Sequence, residues 1–296
     1  MKLKKFLGIM VSISLLMGVV GCANTENTLG ATENKSVINL GVTPYPHIDL
    51  ITEILELSLG ELGYETERVE GDVGFMYLGM SQGDIDIYPD GWLPILHGNY
   101  IDKYGDRLEV GNTIYEQVTM GIVVPTYVDI NSIQELKDNA EIFDNKIVGI
   151  EPSAGIMLTA SETIDAYGMD NIELLEGSTP AMLAEVDNAV RAEEPIAFLG
   201  WRPHIMFSEY DLKVLEDDMD IWDFDDVRSV MNPELKEKSP EAYELIQNFK
   251  ISIDDIEDIL FKLEQGENSL EELSAEWLAN NRGFLDEILE QGVASK

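Results

Sequence analysis

Short apolar runs alternate with longer stretches of helical periodicity along most of this chain, and that alternation narrows the possible folds more than any other feature. Residues 37–42 read as a strand. Ile48, Ile51, Ile54, Leu55, Leu59 and Leu62 then form a helical stripe that Gly63 stops. Extended chain resumes over 64–70, a short helix follows at 74–82, and 84–88 alternates with period two until Pro89. A further strand over 117–124 stops at Pro125. This β-α-β-α-β order calls for helices packed on a mostly parallel sheet.

The same grammar then repeats. Ser132 caps a helix to 138 with Glu135 in the capping-box position, and strands are expected at 146–150, 172–175, 195–199 and 212–215. Helices at 154–166 and 179–192, the latter capped by Thr179, separate them, and from 239 onward only helical periodicity is present. The expectation is an α/β protein of two lobes joined near Pro125, with the helical tail returning to the first. Lobe 1 would comprise 37–124 plus 222–296, and lobe 2 125–221. Ligands of such sheets sit beyond the carboxyl ends of the strands, here in a cleft between lobes.

The N-terminus belongs to neither lobe. Lys2, Lys4 and Lys5 precede an uncharged, mostly apolar run over 6–20, too short to span a bilayer comfortably and suited to a signal peptide. The run leads to Cys22, the one cysteine of the chain, placed where a bacterial lipoprotein signal has its lipid-acceptor thiol. Residues 1–21 are therefore expected to be a lipoprotein signal peptide, and the polar stretch 22–36 a flexible tether. The protein would be extracytoplasmic and anchored by lipid to the cell membrane.

With 57 acidic and 19 basic residues, the net charge of -38 excludes a nucleic-acid-backbone binder. Phosphate-loop, dinucleotide, zinc-protease and serine-hydrolase motifs are absent. Asp84, Asp86 and Asp90 do not make a calcium loop, because Pro89 stands where glycine is needed and Ile95 where a bidentate glutamate belongs. No cofactor, metal or catalytic residue is expected. The scattered His47, His97 and His204 are each more often structural, and the acidic run 216–226 is most simply a solvated loop. What remains is aromatic. Tyr45, Trp92 and Trp201 each follow a strand and lie beside prolines (Pro44, Pro46, Pro94, Pro203). Such rings either form a box for an apolar or cationic head group or plug the loops against the core.

Several stretches together resemble one family. They are Gly83-Asp84-Ile85-Asp86 leading to Trp92-Leu93-Pro94, residues 148–156, residues 176–183, Glu194-Pro195-Ile196 into Gly200-Trp201-Arg202-Pro203-His204, and residues 210–217. In this order they are similar to substrate-binding lipoproteins of ABC transporters for glycine betaine and related quaternary amines. The resemblance implies a two-lobed, Venus-flytrap fold of type II, and an aromatic cage that falls on Trp92, Trp201 and, with tyrosine in place of the usual tryptophan, Tyr45. It places the carboxylate grip on His97 and the backbone amides of Gly155 and Ile156, which open a helix. His204 also stands in a family motif but is read as structural, since Ile205 follows it where the family often has tryptophan. The implied partners are a betaine-type ligand, a permease and, through it, an ATPase subunit. Choline, carnitine, proline betaine or a sulfonium analogue are the alternative ligands, and an enzyme is not expected.

Overall fold

The computed structural model describes residues 35–266 and 268–294. Cys22, the signal segment and most of the tether lie outside the described residues. The described chain builds two five-stranded sheets. The first begins with β1 (Ile38–Val42), α1 (Pro46–Glu61), β2 (Thr66–Glu70), α2 (Val73–Gln82), β3 (Ile87–Leu93), α3 (Gly98–Tyr104) and β4 (Glu109–Val118). The second holds β5 (Met120–Pro125), α4 (Ile133–Asp138), β6 (Lys146–Val148), α5 (Gly155–Tyr167), β7 (Glu173–Leu175), α6 (Thr179–Ala192), β8 (Phe198–Trp201), α7 (Met206–Glu209) and β9 (Leu212–Val214). The chain then returns through β10 (Asp225–Met231) into α8 (Leu235–Lys238), α9 (Pro240–Asn248), α10 (Ile253–Glu264), α11 (Leu270–Asn280) and α12 (Gly283–Ala294). Helices α9, α10 and α11 pack on α1, which returns the tail to the first sheet.

Both sheets repeat one pattern. Their orders are β2-β1-β3-β10-β4 and β7-β6-β8-β5-β9. In each, three strands are parallel, as the alternating sequence demands, and one strand that has just crossed from the other sheet is inserted antiparallel beside them. The chain thus crosses twice, at Thr119 and over 215–224.

The expected join near Pro125 is corrected by this pairing. Residues 120–125 belong to the second sheet, where Ile122 faces Leu199 and Val124 faces Lys213. Strands β4 and β10 were not expected. The first is an edge strand with a polar, half-exposed pattern, and the second starts inside the acidic run, so neither shows a clean apolar alternation. The acidic run is accordingly more than a solvated loop. Asp217 accepts hydrogen bonds from Tyr167 Oη and from the amides of Met219, Ile221 and Trp222, and Asp225 is fully buried. Strand β3 does not stop at Pro89. The register shifts between Gly91↔Arg228 and Tyr88↔Val230, so Pro89 and Asp90 bulge opposite Ser229, a position that tolerates a residue without N–H. One helix cap is also corrected: Ser178, not Thr179, accepts the Ala181 amide at 3.3 Å, while Thr179 bonds Glu151.

Candidate ligand-binding site

The carboxyl ends of the strands converge on a small cavity of about 40 Å³. All six residues expected at a binding site, Tyr45, Trp92, His97, Gly155, Ile156 and Trp201, line it. Trp92 lies in β3 and Trp201 ends β8, so each ring projects from a strand rather than from the loop beyond it. Tyr45 is the cap position of α1, held by its own N–H to Thr43 O at 2.8 Å and by Pro46 at the start of the helix. The Tyr45 and Trp201 rings meet edge-on at 5.7 Å between centroids, although they come from different sheets. Burial, helped by the charges of Glu151, Asp90 and Asp72, pushes the Tyr45 phenol well above its ordinary range, so the ring presents a neutral face.

His97 ends a loop that closes on itself, its N–H donating to Trp92 O at 2.9 Å. The Trp92 N–H donates in turn to His97 Nδ1 at 3.1 Å. With Nδ1 accepting from that amide, the ring hydrogen belongs on Nε2. Burial lowers His97 to a pKa of about 4, so the ring is neutral at physiological pH. Asp225 anchors this loop through the amides of Ile95 (2.7 Å) and Leu96 (3.0 Å).

Gly155 and Ile156 open α5 and line the cavity, and the cap residue Ala154 offers the first amides of the helix no side-chain acceptor. Glu151 pins the preceding turn to α6, accepting from the Thr179 N–H and Oγ1, both at 3.1 Å. Here the two sheets' loops come close. A Cβ on Gly155 would lie 2.0 Å from Leu96 O, and Tyr100 Oη donates to Ser153 O at 2.7 Å. Only glycine permits that approach.

Two polar residues line the cavity that were not expected there. His47 stacks on Tyr45 at 5.9 Å and meets the Trp92 ring edge-on at 6.4 Å. Asp90, 2% exposed, accepts from Trp92 Nε1 at 2.7 Å and from Tyr88 Oη at 3.2 Å. Ending the strand at Pro89 concealed Asp90, which β3 carries to the cavity at its bulge. His204 lies behind Trp201, 5.1 Å away, its Nδ1 accepting from the Met206 N–H at 3.2 Å; it is not among the residues lining the cavity.

Two lobes of this strand order, closed over a cavity at their strand ends, define a type II substrate-binding protein. The lactococcal OpuAC, closed around glycine betaine, superposes with a TM-score of 0.79 at 26% identity over 86% of this chain and 99% of that one. The Borrelia burgdorferi ProX, a glycine betaine and L-proline transporter binding protein, gives 0.80 at 27% identity over 84% of this chain and 95% of that one. The Listeria monocytogenes glycine betaine/carnitine transport binding protein GbuC is 33% identical over 148 residues, 49% of this chain and 49% of its own length, so the match spans about half of that relative. Residues 36–280 match the substrate binding domain of ABC-type glycine betaine transport systems, and the chain belongs to that family.

Proposed function

We propose that this protein captures glycine betaine, or a closely related quaternary ammonium solute, outside the cell membrane and delivers it to an ABC transporter permease. The observation that supports the reading best is the convergence of three large rings, a neutral histidine donor and free helix-terminal amides on one cavity. A trimethylammonium group has no hydrogen to donate, so ring faces rather than acceptors must hold it. A carboxylate at the other end of the ligand needs donors, which His97 and the amides of Gly155 and Ile156 would supply without a competing cation. Because the rings and donors come from both sheets, the ligand would stabilise the closed arrangement over the open one.

In this reading the lobes comprise 35–118 with 225–294, and 120–214. Family members are transport receptors, and the chain would perform no chemistry of its own. ATP would be hydrolysed by the transporter's ATPase subunit. Cys22 would carry a lipid that tethers the protein to the membrane. No helix among the described residues is long and apolar enough to cross a membrane.

The test is a titration followed by tryptophan fluorescence. The chain contains four tryptophans, Trp92, Trp201, Trp222 and Trp277, and two of them line the cavity. Glycine betaine is expected to give a saturable change. Silence with glycine betaine, choline and carnitine alike would mean that the ligand class is wrong.

A further inference from the structure

Among the described residues, Asp90 is the one acidic side chain lining the cavity. Carboxylates are seldom buried unless something compensates their charge, because leaving water is costly. Asp90 has hydrogen-bond donors but only neutral ones, the Trp92 indole N–H and the Tyr88 hydroxyl. The third neighbour is His47 Nε2 at 3.5 Å from Oδ1, on a ring that is itself buried and without a hydrogen-bond partner at either nitrogen. The carboxylate is also fixed in place: Trp92 Nε1 and Tyr88 Oη, both from β3, hold its two oxygens separately. It meets the indole N–H edge of Trp92 and lines the same cavity as Tyr45 and His47.

We propose that Asp90 is the specificity-determining residue of the cage, a fixed counter-charge for the ligand's cationic head that admits quaternary ammonium monocations lacking a carboxylate, of the choline class, alongside zwitterions. The proposal rests on the reading that this cavity takes a quaternary ammonium ligand. Its physical content is a charge balance. A monocation neutralises Asp90 completely. A zwitterion brings its own anion, which lies nearer the His97 end and cancels part of the attraction. Removing the charge therefore harms the monocation more than the zwitterion. Asp90 also accepts the Trp92 indole N–H, so it positions that ring, and the two roles need separating.

Asp90→Asn separates them, since the amide oxygen still accepts from Trp92 Nε1 while the charge is gone. The full chain and the variant are titrated calorimetrically with glycine betaine, choline and the uncharged choline isostere 3,3-dimethylbutan-1-ol. The unaltered chain is expected to bind choline within about tenfold of glycine betaine and the isostere far more weakly. The variant is expected to lose about tenfold or more for choline and roughly threefold or less for betaine, as a nearby charge in an intermediate dielectric requires. Equal losses for the two ligands, or none, would overturn the counter-charge. If the variant does not melt cooperatively, the unaltered chain decides alone: tight betaine binding with no choline binding overturns the proposal. If the unaltered chain binds neither, the functional reading itself fails, and this inference with it.

Discussion

Single side chains test the proposed binding mode. Trp92→Ala and Trp201→Ala each remove a ring whose face would hold the cation, worth about 2 kcal/mol when desolvated, so affinity for glycine betaine should fall roughly thirtyfold or more while far-UV circular dichroism stays unchanged. Calorimetry rather than fluorescence should read these variants, since each loses a reporter. Tyr45→Trp enlarges the third ring and is expected to tighten binding. His97→Gln should weaken glycine betaine and leave choline nearly untouched, because the carboxylate grip proposed for His97 serves a group choline lacks; equal losses for both would place His97 elsewhere in the mechanism. Gly155→Ala is a different test. Its methyl group would collide with Leu96 O, at 2.0 Å, only when the loops meet, so the variant should fold normally yet bind about 5- to 150-fold more weakly, the range of ordinary conformational coupling.

At the scale of elements, much was legible. The stripe over Ile48–Leu62 predicts α1, which spans Pro46–Glu61, and the tail resolves into the helices its periodicity implies. Both buried parallel cores follow from apolar runs bounded by glycine and proline. What escaped was context-dependent. Strand β4 sits at a sheet edge with polar residues facing solvent, and β10 begins at Asp225, whose charge disguises a strand that is satisfied by two loop amides. Of the site, the rings, His97 and the helix start were legible because family motifs carry them, whereas Asp90 and His47 acquire their places only through the bulge in β3 and the stacking on Tyr45. One cap is open to measurement: Ser178→Ala should cost about 1 kcal/mol in urea denaturation, since it orphans the Ala181 amide at the start of α6.

The whole molecule carries a pH dependence of definite sign. Burial lowers both His97 and His204 from 6.5 to about 4. Between those values the unfolded chain takes up a proton at each site and the native protein does not. Stability should therefore be unaffected by these groups above 6.5 and fall as the pH drops toward 4, each histidine contributing at most about 1.4 kcal/mol per pH unit. Urea midpoints between pH 7 and 4.5 test this, and His97→Gln should flatten the profile. The insertion of β10 between β3 and β4 has a consequence of another kind, in time. A chain is made from its N-terminus, and β3 and β4 are complete by Val118, but the strand that joins them ends only at Met231. At ordinary synthesis speeds that leaves the first sheet split for roughly ten seconds. During that interval two unpaired strand edges are exposed, and the first lobe cannot close ahead of the second. A chain cut before Asp225 should accordingly never acquire a stable first lobe, however long it is given to refold.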